Sequence, residues 1–260
     1  GYAVLLKFFQ LEGRFPYDHR EVPDRALNYL AEQVGAPSKI FLAYDWANRT
    51  GKSHRNQIRS HLGFRKTSAD DVQTIVAWLC QDVLPTAHEW QHLPDAVLDW
   101  CRDHRLEPPV LTRIERLTRS AVHIYETSFF QATYNQISSL TRSSIDDLLD
   151  SDSDSDSTSP SSTNADMITT FSALKADPGR SSLDSVLKEC AKFRRIKELD
   201  LPDSLFSTVS PKVVRQYRLR AASEKVRELR MHPEPIRYSL VAAFCRQRRQ
   251  EILDGLVELL

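Results

Sequence analysis

Glycine is scarce, with 7 in 260 residues. So few leave little material for hairpins or phosphate-cradling loops, and beside many Leu, Arg and Ala they favour helices joined by proline-marked breaks, an all-α chain. Cysteine is scarcer still: Cys80, Cys101, Cys190 and Cys245 lie far apart with no CxxC pair. That spacing supports neither a disulfide framework nor a zinc ribbon, and a reducing cytosol is the default compartment. No run approaches the roughly 18 unbroken apolar residues of a membrane span. An initiator Met and the pattern of a signal peptide are missing from the opening Gly1-Tyr2-Ala3-Val4-Leu5-Leu6, so the chain is expected to be a fragment of something longer.

What remains, 41% hydrophobic and 27% charged, is ordinary globular composition with enough chain for two or three small cores. Net charge is zero, from 35 Lys plus Arg against 35 Asp plus Glu, but the charges are unevenly placed. Residues 1–66 hold 11 bases against 6 acids, 67–144 hold 6 against 10, 145–170 hold none against 7, and 171–260 hold 18 against 12. Two basic blocks flanking an acidic middle suit a polyanion docked on the two ends.

Breaks and caps divide the chain. A helix over Ala3–Leu11 should close at Gly13 and Pro16, and a second, entered at Pro23, should stop at Gly35 with Ala26, Leu27, Leu30, Ala31 and Val34 in one stripe. Ser38 can cap a short helix. After the turn Asn48-Arg49-Thr50-Gly51, another is expected from about Ser53 to Leu62, stopped by Gly63. Residues 1–66 thus have the size of a helix-turn-helix module. Ser68 with Asp71, then Pro94, then Thr112 open the helices of a second module, 67–149, in which Ile114, Leu117, Ala121, Ile124 and Tyr125 should face inward and Arg113, Arg116 and Arg119 line another edge. The Ser/Asp repeat at 150–165 has nothing apolar to bury and is by composition a flexible acidic linker. Beyond it, a basic module over 166–260 should start a helix at Ser182 with Leu183, Val186, Leu187, Cys190 and Phe193 inward. A helix from Ser210-Pro211 to about Arg230 should follow, then one after Pro233/Pro235 that is cut at the C-terminus.

The most informative window is Trp46 to Lys66, WANRTGKSHRNQIRSHLGFRK, with six cations (Arg49, Lys52, Arg55, Arg59, Arg65, Lys66) and no acid. With Ile58 and Leu62 facing the core, about 100° per residue turns Asn56, Gln57, Arg59 and Ser60 outward and puts Arg55 nearer the edge. Amides that can bond adenine bidentately beside arginines that can read guanine or hold phosphate are the chemistry of a DNA-reading helix; the alternative is a solvated basic surface. A second basic set, Lys188, Lys192, Arg194, Arg195 and Lys197, then Lys212, Arg215, Arg218 and Arg220, could track phosphates or pair with nearby acids such as Glu224 and Glu228.

Other motifs fail on spacing. Gly51-Lys52-Ser53 lacks the glycine a phosphate-binding loop needs, that position being Trp46. Cys80, His88, His92, Cys101 and His104 are the right types for zinc at irregular spacing, and read better as buried cysteines and surface histidines. Asp150, Asp152 and Asp154 imitate a calcium loop that has Ser155 where glycine is needed and Ser161 where glutamate is needed. No active site emerges, and no cofactor is implied for this stretch.

Six collinear stretches carry a resemblance: LLKFFQLEGRFP (5–16), YDWANRTGKSHRNQIRSHLGFR (44–65), EPPVLTRIERLTRSA (107–121), LKADPGRSSLDSVLKE (174–189), VSPKVVRQYRLRAA (209–222) and HPEPIRYSLVAAFCRQRRQEILDGLVELL (232–260). The chain resembles, end to end, the N-terminal region of the Tn-three type replicative transposases, the large TnpA proteins of cointegrate-forming bacterial transposons. The resemblance implies binding of double-stranded DNA at the terminal inverted repeats. It also implies catalysis by a separate RNase H-like Asp-Asp-Glu domain with Mg²⁺ that is absent here, a homodimer for the full-length protein, and a bacterial cytoplasm and nucleoid setting without membrane attachment. Carried onto this sequence, the DNA-reading motif is Trp46, Arg49, Thr50, Lys52, His54, Arg55, Gln57, Arg59 and Arg65. The full set of expected DNA-contacting residues adds Asn56, Arg113, Arg116, Arg119, Lys192, Arg195, Lys212, Arg215 and Arg218. The basic window alone would equally fit a stand-alone helical DNA-binding regulator, and the basic faces a helical protein-interaction scaffold.

Overall fold

A computed structural model describes residues 1–46, 48–86, 90–152, 170–180 and 182–259, and the fold is all-α. The Ser/Asp segment expected as a linker lies, from residue 153 on, outside the described residues. The chain divides into two compact units, one of residues 1–79 with 89–121 and one of 80–88 with 122–260.

The first unit contains α1 (Tyr2–Glu12), α2 (Asp24–Gln33), α3 (Lys39–Leu42), α4 (Arg49–Leu62), β1 (Arg65–Lys66), α5 (Ala69–Trp78), α6 (Leu93–Asp103) and β2 (Leu106–Glu107). It also takes the first part of α7 (Leu111–Gln136), whose remainder belongs to the second unit. α1 ends where Gly13 adopts a left-handed φ of 69°, a conformation costly to any residue with a Cβ. Ser68 and Asp71 exchange the two hydrogen bonds of a capping box and so start α5. β1 and β2 form a two-residue parallel pair, Arg65 opposite Leu106 and Lys66 opposite Glu107, with no alternating apolar pattern to announce it. It ties residues 65–66 to 106–107, so the first unit runs on past the boundary at 66 that the composition suggests.

Two small apolar clusters hold the first four helices. Val4, Val22, Leu27 and Phe41 form one, with Trp46 and Tyr44 against it; Leu5, Phe9, Phe15 and Ile58 form the other. α1 serves both, because Val4 and Leu5 are successive and point to different sides.

The second unit adds α8 (Ser139–Asp150), α9 (Phe171–Lys175), α10 (Leu183–Glu198), α11 (Pro211–Ser223), α12 (Val226–Met231) and α13 (Glu234–Leu259). α13 is buried on every side from Tyr238 to Cys245 and packs against α8, α10, α11 and α12. The single helix expected from Ser210 to Arg230 is two, broken where Glu224 turns extended and its carboxylate accepts from Arg220 Nε at 2.9 Å and pairs with His232 at 2.8 Å. Ile124, expected inward on α7, is 46% exposed, whereas its neighbour Tyr125 is buried.

α10 departs most from its sequence pattern. Ser182 caps it as expected, but Leu183 and Leu187 are 76% and 60% exposed while Glu189 and Lys192 are 4% and 6% exposed. The cause is a buried polar cluster. Lys192 Nζ donates to Glu189 Oε1 at 2.7 Å and to the Ala176 carbonyl at 2.8 Å. Arg248 of α13 donates to the carbonyls of Leu174 and Ala176 at 3.0 and 2.8 Å, and lies 3.6 Å from Glu189. Two cations share one carboxylate and direct further donors to backbone oxygens and, for Arg248 Nη1, to Glu251 Oε2 at 3.5 Å, the kind of pairing that lets buried charge be tolerated. Truncating Glu189 to Ala leaves Lys192 buried without a carboxylate, and chemical denaturation should register a loss of about 3–5 kcal/mol.

Candidate nucleic-acid interface

α4 begins earlier than its sequence suggests, because Asn48 is its cap and not the first residue of a turn. Asn48 Oδ1 accepts from the Gly51 amide at 2.7 Å, which draws Arg49, Thr50 and Gly51 into the first helical turn. Gly51 fits there because it has no side chain: a Cβ would sit 2.7 Å from the Trp46 carbonyl oxygen and 2.9 Å from that of Asp45. Trp46 is itself anchored, its Nε1–H donating to His19 Nε2 at 2.5 Å. The helix ends at Gly63, with a φ of 71°.

Ile58 is fully buried and marks the inward face of α4. At about 100° per residue the opposite face then carries Arg49, Lys52, Ser53, Asn56, Gln57 and Ser60, and all six are exposed. No acid occurs in α4. His54 and Arg55 lie half-buried at the edge. His54 Nδ1 shares a 2.7 Å hydrogen bond with the Tyr44 hydroxyl, whose pKa burial raises against the opposing charge of Arg55. Arg55 spreads its guanidinium 5.5 Å from the Phe15 ring and 5.9 Å from Trp46, an orientation that stiffens it without neutralising it.

Arg59 corrects the sequence reading. Expected to project outward without an acidic neighbour, it is 7% exposed, and its Nη1 donates to Glu107 Oε2 at 2.6 Å. Its Nη2 donates to Asn56 Oδ1, and its guanidinium lies 5.9 Å from the Phe15 ring. A position one residue past Ile58 lies on the flank of the helix, and β2 covers that flank. Arg65 is exposed but paired with Asp71 through contacts of 2.5 and 2.7 Å, which hold the Asp71 carboxyl well below the usual carboxylate range. Thr50 is exposed beside Arg49.

On α7, Arg113, Arg116 and Arg119 are exposed and form no ion pair among the described residues. In the second unit, Lys212 and Arg215 are exposed, Arg195 is 3.6 Å from Glu198, and Arg218 is bound to Glu251 at 2.7 Å beside Phe244. Lys192 is the buried member of the α10 cluster, because its helix turns that face inward. Of the cysteine and histidine set, burial pushes the Cys101 thiol up to about 11, with the Asp71 charge adding to the shift; His88 lies outside the described residues. Sequence reasoning did not single out Asn48, Tyr44, Phe15 or Glu107. An asparagine ahead of an Arg-Thr-Gly run is a recognisable cap signal, but nothing in the spacing links Glu107 to Arg59.

Residues 1–121 match a family described as a domain of unknown function (DUF4158). Along its whole length the chain is 24% identical to the transposase for transposon Tn1546 of Enterococcus faecium. It is 22% identical to the transposase for transposon Tn2501 of Escherichia coli and 20% identical to that for Tn501 of Pseudomonas aeruginosa. The chain is thus similar, from end to end, to three proteins named as transposases. It spans 25% of the length of each of these relatives.

The start of α4 is sterically exacting. Gly→Ala inside a helix ordinarily stabilises by about 1 kcal/mol. At Gly51 the added methyl meets two backbone oxygens that cannot swing away, so Gly51→Ala should instead destabilise the first unit by about 1–3 kcal/mol, measured by urea unfolding.

Proposed function

We propose that this transposase region recognises the terminal inverted repeats of its transposon, with α4 as the reading helix. The observation that carries this is the outer face of α4: Arg49, Lys52, Ser53, Asn56, Gln57 and Ser60 exposed together on a helix without one acid. An α-helix fits the major groove, where amides and hydroxyls can read base edges and cations can hold phosphates. Arg49 and Lys52 crowd the N-terminal turn, where the helix dipole disfavours cations, so a docked phosphate relieves an existing repulsion. Arg55 at the edge, with Arg113, Arg116 and Arg119 on α7, supplies sequence-independent contacts to the backbone. Lys212 and Arg215 do the same from the second unit. Arg59 and Lys192 act inside the protein and are left out of the contact set.

In the full-length transposase this region directs a separate RNase H-like, Mg²⁺-dependent domain to the transposon ends in a homodimer, in the cytoplasm among nucleoid DNA. The region itself binds and does not cut. Purified chain with Mg²⁺ or Mn²⁺ should therefore leave a labelled transposon end intact, and nicking abolished by a substitution within the chain would refute this.

Lys52→Ala and Gln57→Ala separate the two kinds of contact. Loss of a base-reading Gln57 should cost about 1–3 kcal/mol on the cognate repeat and relax preference at one position. Loss of Lys52 should weaken all sequences alike and lower the slope of log affinity against log salt by about 0.9 for one phosphate. The Lys212→Ala/Arg215→Ala pair should lower that slope with preference unchanged. Fluorescence anisotropy over a salt series reads all three, and unchanged binding in both α4 variants would remove that helix from the interface.

A further inference from the structure

Asn56 and Gln57 both face outward on α4, yet their amides differ in freedom. Asn56 Oδ1 accepts a hydrogen bond from Arg59 Nη2, three residues along the helix. Arginine is a donor at every nitrogen and cannot accept. If the Asn56 amide were flipped, Nδ2 would face Arg59 donor to donor, so the guanidinium fixes which end of the amide points inward. Arg59 is held from turning aside by Glu107 Oε2, which accepts from its Nη1 at 2.6 Å, with the Phe15 ring 5.9 Å from its guanidinium. Glu107 is fixed in turn: the Thr67 hydroxyl donates to its carbonyl at 2.6 Å, and its strand pairs with β1 opposite Lys66.

A free asparagine reads adenine with both ends, accepting from N6 and donating to N7; guanine offers two acceptors, N7 and O6. We propose that Glu107, acting through Arg59, sets the hydrogen-bonding polarity of Asn56, so that Asn56 presents its N–H donors to DNA and selects guanine in place of adenine. Glu107 and Arg59 are then positioning residues: neither touches a base, and both decide which base is read. This rests on α4 being the reading helix.

The test selects bound duplexes from a random-sequence library with the whole 260-residue chain and with variants. The parent should select guanine at one position, and Asn56→Ala should lose preference there alone, with affinity for the selected duplex falling about 5- to 150-fold. Arg59→Met/Glu107→Leu removes the buried pair as a unit, a replacement that proteins often tolerate without loss of stability. The freed amide should then move the preference at that position to adenine, with the thermal midpoint retained. Asn56→Asp, which can only accept, should move it to cytosine, whose N4 is a donor.

Adenine selected by the parent, or a preference that stays on guanine in the folded double variant, overturns the relay while Gln57→Ala still alters selection. A selection unmoved by both Asn56→Ala and Gln57→Ala overturns the relay and the reading helix together.

Discussion

The first unit is organised by one buried ion pair joining residues 48 positions apart, Arg59 on α4 and Glu107 on β2. Burying a guanidinium and a carboxylate costs several kcal/mol each in lost hydration, and attraction offsets that only when the geometry is good and the other donors are satisfied. Here Asn56 takes one of those donors and the guanidinium lies over the Phe15 ring, 5.9 Å from its centroid. Such a pair adds little net stability but is intolerant of misalignment, since a rotation of α4 by one residue would separate the buried guanidinium from its half-buried carboxylate. It therefore fixes the rotation of the helix more sharply than the small cluster around Ile58 could, apolar contacts being non-directional.

The second unit uses the same device for another purpose. Lys192, Glu189 and Arg248 bring α10 and α13 to the carbonyls of residues 174 and 176. Glu189 and Lys192 of α10 face in while Leu183 and Leu187 face out, a local exception to the ordinary amphipathic pattern that Ile196 still follows. The carbonyls of Leu174 and Ala176 belong to a short segment at the end of α9, too short to hold itself by helix propensity. Charged donors satisfy those carbonyls where an apolar face could not.

These two clusters mark where the sequence ceases to be legible. Signals that act within a few residues were readable: the capping box of Ser68 and Asp71, the glycine stops at Gly13 and Gly63, the cap at Ser182 and the helical class as a whole. The outward placement of Asn56, Gln57 and Ser60 followed from the burial of Ile58. The misplacements share a cause. Arg59 and Lys192 read as surface cations because charge on a helix is normally solvated, and acceptors that hold them inside lie on other segments, Glu107 on β2 for Arg59 and the Ala176 carbonyl for Lys192. Helical periodicity carries no information about such partners. The two-residue strands were equally silent, being too short to show a period.

The same distinction decides what the charge balance means. Counted by composition, the chain is neutral and no candidate for binding a polyanion. Many of its acids are already committed: Glu107 to Arg59, Asp71 to Arg65, Glu189 to Lys192, Glu251 to Arg218 and Asp203 to both Arg246 and Arg249. A pair so closed presents little field beyond its own dipole, whereas Arg49, Lys52, Arg55 and the three arginines of α7 have no carboxylate beside them among the described residues. A phosphate approaching within about 10 Å, the screening length near 0.1 M salt, feels local charge and not the sum over the chain. Net charge therefore underestimates this surface, and a raw count of basic residues overestimates it, because Arg59, Arg65 and Lys192 enter that count while their charge is already paired with an acid of the protein.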